Sequence, residues 1–435
     1  MPFFDNTVRS RLKTRKPYQS LSRIIAIWGR YGVDSRKFAH ALSGFVELTN
    51  AFHVRPTFPI PAVIYEKHSR LLAAVTGRGV GAELAAHGYA HLDYTGMQVS
   101  RMGKHLQCAK DRFNCQGHRR IGFRFPFLRR NRDLLLELDR QEIVWDSSEV
   151  IQWDVLDRRA FSQNDWTAYE WIMETYAARP ASRVQSLPYF IGNLVEIAVS
   201  MPDDDILIDR LKILKTDLQY SIWNQILTET CRRGEILVLQ LHPERFFLFE
   251  KALLKLLKTA VRMGQVWIAS LGEVAEWWRE RSGLRIEFKS VSTHQTEILC
   301  HGSMRAGLSF GRNPPAGDAV LRIEPSVARG PLRWSVKGRQ RPWIGVSPQV
   351  PDSASEIRLL IQHGFLFERS PTAGTFAIYM TPQNRSSFST TDRLKRYPHP
   401  LLRVDNWPGG NQCALSLTGD IDGLDIWDFG NRFYA

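Results

Sequence analysis

The sequence predicts an α/β protein in which a parallel sheet or barrel is joined to a smaller all-β domain. From about Ser22 to Leu284, short apolar runs alternate with amphipathic helical stretches, as in a parallel sheet with helices between its strands. From about Arg285 to Met380 the apolar residues alternate with polar ones, and Gly and Pro separate the runs, which indicates a β-sandwich. A chain of 435 residues is long enough for both units.

The elements of the first unit follow from apolar spacing and from capping residues. Asp34 is the predicted N-cap of a helix that runs to Asn50, and Arg55 to Pro61 follows as a strand. Further helices are predicted at 134–141, 247–263 and 272–281, and further strands at 143–145, 234–241 and 265–270. This order places the carboxyl ends of the strands at one face, where α/β barrels build their active sites.

The second unit and its flanks are also predicted from the sequence pattern. The alternating segments 284–288, 319–323 and 357–361 are the predicted strands of the sandwich, without helical patterns between them. Residues 381–400, rich in Ser, Thr, Arg and Pro, are predicted to be a linker. The predicted divisions are a basic N-terminal segment, a barrel, a sandwich, a linker and a C-terminal strand segment, at 1–21, 22–284, 285–380, 381–400 and 401–435.

The C-terminal strand has no sheet in its own part of the sequence. Gln412 to Ile421 has the pattern of a buried strand and ends in acidic residues. A lone strand satisfies neither its backbone hydrogen bonds nor its apolar faces. We therefore expect this strand to join the sheet of another part of the chain.

The composition is that of a soluble globular protein, with 43% hydrophobic and 23% charged residues. The sequence has no run of about 18 apolar residues, so no membrane span is predicted. The N-terminus lacks the apolar centre of a secretory signal. The expected location is the cytoplasm, with or without membrane association. The five cysteines are expected to be reduced, and Cys108 and Cys115 are too far apart for a Cys-x-x-Cys site.

The net charge of +14 indicates either that the protein binds an anionic partner or that it has a solvated basic surface. The densest basic stretch, Arg101 to Arg120, lacks the interleaved aromatic residues of a single-strand binding platform. No helix-turn-helix, zinc-finger or RNA-binding signature accompanies it, so nucleic acid is not expected as a partner. An anionic glycan, a phospholipid headgroup and plain solubility all remain open.

Two histidines and two aspartates are the candidates for metal chemistry. His87 and His91 stand four residues apart, close enough on one helical turn to reach the same ion. Asp420 and Asp422 leave a strand end on the same side, where one can hold the ion while the other accepts a proton from water. The plainer alternatives are a buried and an exposed histidine, and a capping loop before Gly423.

Arg124 and His242 stand at the ends of predicted strands. The proline after Phe125 favours an extended conformation of Phe125, which directs Arg124 toward the end of the strand. There Arg124 can orient a carboxylate through charge-assisted hydrogen bonds. His242 follows a buried run and can protonate a leaving amine. A surface arginine and a structural histidine are the plainer alternatives.

Together these motifs resemble those of the polysaccharide deacetylases, carbohydrate esterase family four. The matching motifs are His87-x-x-x-His91, Arg124-x-Pro126-Phe127, Asp146-Ser147-Ser148, the strand-final His242 and the strand that ends in Asp420 and Asp422. The resemblance covers about 22–281 and 401–435, and not the β-rich middle. In the family the di-aspartate strand comes first. The resemblance therefore implies a distorted (β/α) barrel that is circularly permuted, with the sandwich inserted at the permutation point. It also implies that Cys413 to Ile421 supplies the missing first strand and pairs in parallel beside Pro56 to Ile60.

The resemblance also implies a role for each matched residue. The implied ligands of a divalent ion, most readily Zn²⁺ with Co²⁺ or Ni²⁺ as alternatives, are Asp422, His87 and His91. The implied general base is Asp420, oriented by Arg124, and the implied general acid is His242, supported by Asp146. The backbone amide of Phe127 would help to hold the oxyanion.

Three positions depart from the family pattern. The family usually has a leucine two residues before the catalytic histidine, lining the pocket for the acetyl methyl group, and this chain has Gln240 there. Strand alternation directs Gln240 to the side of His242, so it is a substrate-binding candidate that would accommodate the acyl group differently. Trp153 is the nearest candidate for a displaced tryptophan, and Gly88 stands where Ser or Thr is common.

The expected function is metal-dependent removal of an N-acetyl group from an amino sugar of a glycan or a lipid-linked glycan precursor. A second interpretation keeps the metal centre but takes a small amide or ureide as substrate, and Gln240 favours it. A third is a non-catalytic glycan-binding protein in which the β domain binds the glycan. The full set of acids, histidines and arginine counts against this last interpretation.

Overall fold

The computed structural model describes residues 29–118, 120–310, 320–324, 331–388, 394 and 401–430. Its helices are α1 Arg36–Asn50, α2 Ala62–Thr76, α3 Val99–Cys115, α4 Arg132–Arg140, α5 Gln163–Thr175, α6 Thr216–Arg233, α7 Phe246–Met263, α8 Leu271–Ser282, α9 Ser355–Gln362 and α10 Ile426–Gly430. Its first ten strands are β1 Thr57–Ile60, β2 Glu83–Ala86, β3 Trp145–Asp146, β4 Val150–Gln152, β5 Arg179–Pro180, β6 Tyr189–Ile191, β7 Leu194–Glu196, β8 Val199–Met201, β9 Ile236–Leu241 and β10 Val266–Ile268. The later strands are β11 Arg285–Ser292, β12 Gln295–His301, β13 Leu308–Ser309, β14 Val320–Glu324, β15 Leu332–Lys337, β16 Arg341–Val346, β17 Phe367–Arg369, β18 Phe376–Met380, β19 Arg403–Val404 and β20 Cys413–Gly419.

A parallel sheet forms the centre of the molecule, as the alternation of apolar runs and helices predicts. Its strands lie in the order β2, β1, β20, β9, β8, β4, β5, and β10 also pairs with β20. Single bridges continue from Ala86 to Phe123 and from Phe123 to Asp146, so the sheet curves back toward the chain that carries β4. The fold is therefore α/β with a parallel central sheet.

The C-terminal strand lies within this sheet, which confirms the parallel pairing predicted beside residues 56–60. Thr418 pairs with Thr57 of β1, and residues 414–419 pair in parallel with all six residues of β9. Every residue of β20 is buried. A strand that is apolar on both faces needs neighbours on both edges and cover on both sides, and this position supplies them.

The chain after β20 returns to the start of α1. The backbone N–H of Ile426 donates to the carbonyl of Gly32 at 3.1 Å. Asp428 accepts from Lys67 at 2.6 Å and lies 2.8 Å from the Nε2 atom of His68, both on α2. The C-terminal segment therefore lies against the residues just before α1 and against α2; the final residues 431–435 and the basic segment 1–21 lie outside the described residues.

Helices and strands of the first unit agree with the predicted positions to within a few residues. The N-cap of α1 is Ser35 rather than Asp34, whose side chain instead accepts from the backbone N–H of Arg36 at 3.0 Å. Gly234 and Gly264 end α6 and α7 in the left-handed conformation, with φ of 72° and 65°. Glycine adopts this conformation without steric cost, which lets each helix stop one or two residues before the next strand.

The region 285–380 is not an all-β sandwich, and that prediction is wrong. It contains an antiparallel sheet of order β11, β12, β15, β14 and a separate parallel sheet of order β17, β16, β18. The predicted strand 357–361 is part of helix α9, which buries Ile357 and Leu360. These two residues are three apart, a helical spacing that a five-residue apolar run does not distinguish from a strand.

The predicted linker is described only in part. Phe388 and Leu394 are buried in an apolar cluster with Leu360 and Leu401, so the described part of 381–400 packs against its neighbours. Residues 389–393 and 395–400 lie outside the description. The boundaries of the predicted domains remain predictions.

Cys231 and Cys413 form a disulfide, so the expectation that all five thiols are reduced is wrong. The bridge joins helix α6 to the C-terminal strand, across 182 residues of sequence. Cys108, Cys115 and Cys300 are free. Among the described residues, the helices are too short or too polar to cross a bilayer, and the cytoplasmic location remains a prediction.

Candidate metal centre and hydrolytic site

The predicted site residues follow strands of the central sheet at one edge. His87 follows β2, His242 follows β9, and Asp420 and Asp422 follow β20, while Arg124 comes directly after the bridged residue Phe123. Parallel strands end at the same edge, so residues distant in sequence meet there.

His87, His91 and Asp422 converge on one point. The Oδ1 atom of Asp422 lies 3.5 Å from Nε2 of His87 and 3.1 Å from Nε2 of His91. Ligand atoms about 2.0–2.2 Å from a tetrahedral ion stand about 3.3–3.6 Å apart. The distance to His87 lies in that range and the distance to His91 is slightly shorter, so these three residues could hold a divalent ion. The Nδ1 atom of His87 lies 2.8 Å from the carbonyl of Arg124, a contact that turns Nε2 toward the centre, as in many metal-binding histidines.

The two histidines lie in a loop, not on the helical turn that their spacing suggested. Gly88 between them has φ of 82°, and a Cβ there would lie 2.8 Å from the hydroxyl oxygen of Tyr94. That hydroxyl accepts from the backbone N–H of Tyr89 at 2.8 Å. Glycine is therefore required at 88, because the loop needs both a left-handed residue and room for Tyr94.

Other groups of acids and histidines among the described residues serve different purposes. His68, Asp425 and Asp428 lie within reach of one ion, but Lys67 contacts both aspartates, at 3.5 and 2.6 Å. A lysine in that position supplies the positive charge that an ion would bring. This group therefore functions as an ion-pair cluster that holds α10 against α2.

Asp420 is held by two donors. Arg124 donates from Nη1 to Oδ1 at 2.6 Å, and Gln240 donates from Nε2 to Oδ2 at 3.0 Å. Arg124 is fully buried and is itself fixed by Ser147, whose carbonyl and hydroxyl each accept at 2.8 Å. Buried charges need such pairing, and a charge-assisted bond to arginine stabilises the ionised carboxylate.

The contact of Gln240 with Asp420 was not foreseen from the sequence. Gln240 is 4% exposed, and its Oε1 atom has no hydrogen-bond partner among the described residues. The carboxylate of Asp420 accepts hydrogen bonds only, so the Nε2 side of the Gln240 amide must face it and Oε1 must point away. Its predicted role in binding the acyl group is not tested by this geometry.

His242 is supported by Asp204 and not by Asp146, so the prediction for Asp146 is wrong. Its Nδ1 atom lies 2.7 Å from Oδ1 of Asp204, and its backbone N–H donates to Oδ2 at 3.1 Å. Burial lowers the pKa of His242, but the charge of Asp204 more than offsets it, and the pKa is raised well above its ordinary value. The signal in the sequence was the acidic run Asp203-Asp204-Asp205, which begins two residues after the end of β8 and is not one of the matched family motifs.

Asp146 lies deeper, in a buried carboxyl pair. It accepts from the hydroxyl of Ser148 at 2.8 Å and interacts with Glu196. Burial raises the pKa of Asp146, and burial followed by the charge of Asp146 raises that of Glu196 well above its ordinary value. Burial and like charge therefore oppose the ionisation of both carboxyls at once.

Phe127 stands at the mouth of the site. Its ring centroid lies 4.5 Å from that of His91, and the side chain is 45% exposed. Its φ is 60°, and that of Leu128 is 54°. A bulky residue in the left-handed region carries steric strain, and strained backbone positions of this kind cluster at functional sites. Trp153, the candidate for the displaced tryptophan, is buried in the main core.

The fold and the site together define an α/β protein with a candidate metal centre at the carboxyl edge of a parallel sheet. No family model matches the chain, and no curated protein matches it. Solved structures do, and the chain resembles the polysaccharide deacetylases among them. A Mycobacterium smegmatis protein named for that family is 20% identical with a TM-score of 0.41, covering 57% of this chain and 78% of its own.

Two further structures have similar scores. A Pseudomonas aeruginosa PAO1 protein, also named for the polysaccharide deacetylases, is 15% identical with a TM-score of 0.43, over 55% of this chain and 72% of its own. An allantoinase is 16% identical with a TM-score of 0.42, over the same shares. At these values the likeness carries no argument about this chain, and the function has to follow from the geometry of the chain's own side chains.

Proposed function

We propose that the chain is a metal-dependent hydrolase of the deacetylase type, which cleaves the amide bond of an N-acyl amine. The observation that carries the proposal is the convergence of three potential ligands, His87, His91 and Asp422, beside an arginine-held carboxylate. That carboxylate, Asp420, lies two residues from a ligand. His242, kept protonated by a buried aspartate, completes the acid–base pair.

The proposed mechanism divides the proton transfers between Asp420 and His242. A divalent ion held by His87, His91 and Asp422 would polarise the amide carbonyl and acidify water. Asp420 takes a proton from the attacking water, whose oxygen forms a bond to the carbonyl carbon. As the bond from that carbon to nitrogen breaks, His242 gives its proton to the leaving amine. The backbone amide of Phe127 is the proposed donor to the oxyanion.

The proposed substrate is an N-acetyl amino sugar in a glycan or a lipid-linked glycan precursor. The net charge of +14 suits a phosphate-bearing precursor. The test is release of acetate and free amine from N-acetylated oligosaccharides by protein loaded with Zn²⁺, Co²⁺ or Ni²⁺. Elemental analysis should find about one equivalent of ion per chain. No release with any of these ions, together with no metal uptake, refutes the proposal and leaves glycan binding as the remaining candidate.

A carbamoyl or other small amide group is a second candidate, and Gln240 is the observation that favours it. An acetyl methyl group offers no hydrogen bond, whereas Gln240 brings a buried amide next to the proposed base. Rates on N-acetyl and N-carbamoyl derivatives of one amine would separate the two acyl groups. Gln240→Leu should shift the ratio toward acetyl by about tenfold if the amide contacts the acyl group. An unchanged ratio removes this candidate.

We also propose that the chain is related to the polysaccharide deacetylases by circular permutation. Support comes from β20, which lies between β1 and β9 although it follows both in sequence. Strand order in the sheet would then correspond to the family order read from residue 401 onward. An engineered chain that restores this order provides the test, described below.

A further inference from the structure

A group of exposed apolar side chains lies around the edge of the sheet that carries the candidate site. A helix that follows a parallel strand begins at the strand's carboxyl edge and runs back along the sheet. The apolar side chains stand at or just before the first turns of α1, α6 and α7, or on α10 after β20. The group, named here the apolar rim, comprises Val33, Leu214, Leu218, Phe247, Leu248 and Trp427.

Backbone and ring contacts bring the segments of the apolar rim together. The backbone hydrogen bond from Ile426 to Gly32 joins the two segments that carry Trp427 and Val33. The ring of His40, in α1, lies 5.0 Å from that of Phe247. The apolar rim therefore continues across α10, α1 and α7, on the side of the site formed by the residues after β9 and β20.

The exposure of these side chains is high for their size. Trp427 is 69% exposed, Val33 58% and Phe247 55%. A single exposed apolar side chain needs no explanation, but several around one functional edge mark an interaction surface.

Basic residues accompany the apolar ones. Lys37, Lys212 and Lys215 are exposed, and they form no ion pair within the described part of the chain. The nearby acids are occupied, since Asp34 binds Arg36 at 3.0 Å and Asp217 binds Lys255 at 2.5 Å. The surface thus combines apolar groups with unpaired positive charge, in a chain whose net charge is +14.

We propose that the apolar rim docks on an anionic phospholipid surface, so that the candidate site faces the membrane. Tryptophan and phenylalanine partition into the interfacial layer of a bilayer, and lysines beside them are attracted to anionic headgroups. A water-soluble partner protein would also cover apolar groups, but the unpaired lysines favour the lipid surface. Docking there would give the site access to an amphiphilic substrate.

Flotation of the full chain with lipid vesicles tests the proposal and requires no catalytic activity. Vesicles of phosphatidylcholine with phosphatidylglycerol should carry the protein upward, whereas pure phosphatidylcholine should carry far less, and added salt should weaken binding. The double variant W427S/F247S should lower binding to the anionic vesicles by about tenfold or more. The control is V291S, since Val291 is 54% exposed and lies on β11, a strand of the separate antiparallel sheet.

Several results would overturn the proposal. They are no flotation of the wild-type protein at low salt, equal flotation of W427S/F247S, or an equal loss in V291S. A wild-type dimer that W427S/F247S turns into a monomer, with unchanged vesicle binding, would make the apolar rim an interface between copies. Thermal unfolding checks that the variants keep their fold, and the single variants W427S and F247S replace the double variant if it does not.

Discussion

Asp204 sets the protonation state of His242, the proposed general acid. The charge of Asp204 raises the pKa of His242 and so favours the charged imidazole. A group whose pKa is higher in the folded than in the unfolded state contributes stability below its unfolded pKa, about 6.5 for histidine. That contribution is lost as the pH rises through the folded pKa, and proton donation to a leaving amine is lost in the same range.

Asp204→Asn should therefore move the alkaline limb of kcat/KM to lower pH, because the amide keeps the shape of the side chain but not its charge. The measurement is the pH profile of hydrolysis by the metal-loaded protein. Asp146→Asn is the matched control, since Asp146 is equally buried but contacts Glu196 instead of His242. An alkaline limb that moves with Asp146→Asn, or stays in place with Asp204→Asn, would contradict the assignment.

The two aspartates after β20 should separate in their effects. Asp420→Asn should keep the ion and lose hydrolysis by about 10²–10⁴-fold, because an amide does not accept the proton from water. Asp422→Asn should lose the ion itself. Elemental analysis and rate measurements on both variants decide the matter, and equal loss of metal in both would refute separate roles.

At the residue scale, what could be predicted depended on short-range sequence patterns. His87, His91, Asp420 and Asp422 were found because each pair stands close together in sequence. Asp204 was missed because it reaches His242 only through the pairing of β8 with β9, and a motif of neighbouring residues does not contain that information. Asp146 was predicted to support His242 because it matches the family motif, but its electrostatic partner in the structure is the carboxyl of Glu196.

At the scale of elements, β20 shows which kind of segment a sequence specifies well. Its seven residues are apolar enough to require burial on both faces, and no neighbouring segment offered that. The segment 357–361 was assigned wrongly because five apolar and charged residues fit a short strand and a short helix equally. The packing of α9 beside the parallel sheet of β17, β16 and β18 buries Ile357 and Leu360 with apolar residues on both sides of it in sequence.

A rearranged chain in which 401–430 precede residue 29 should fold, bind metal and keep the activity of the parent. The hydrogen bond between Ile426 and Gly32 shows that these ends are already adjacent, so a short linker suffices. Circular dichroism and metal content are the measurements. Deletion of 401–435 is the control, and it should give an insoluble, metal-free protein because β1 and β9 lose their shared neighbour. A soluble, metal-binding deletion variant would contradict the placement of β20.

At the scale of the whole molecule, the candidate ion joins segments that are far apart in sequence. His87 and Asp422 are separated by most of the chain, so an ion held between them stabilises the folded sheet as a unit. Zn²⁺ at about 100 times its dissociation constant should stabilise the protein by about 2.7 kcal/mol. Thermal unfolding with and without Zn²⁺ measures this, and His91→Ala should show a much smaller increase. The same increase in both proteins would place the ion elsewhere.

The position of β20 also affects how the protein is made. A ribosome that has finished β9 at Leu241 must add 171 further residues, from 242 to 412, before Cys413 appears. At about 5–20 residues per second this takes roughly 10–30 s. During that interval β1 and β9 emerge from the ribosome without the strand that separates them, and their edges are open to the wrong partner. Chaperone binding and the rate of translation during this interval should therefore affect the fraction of chains that reach the native sheet.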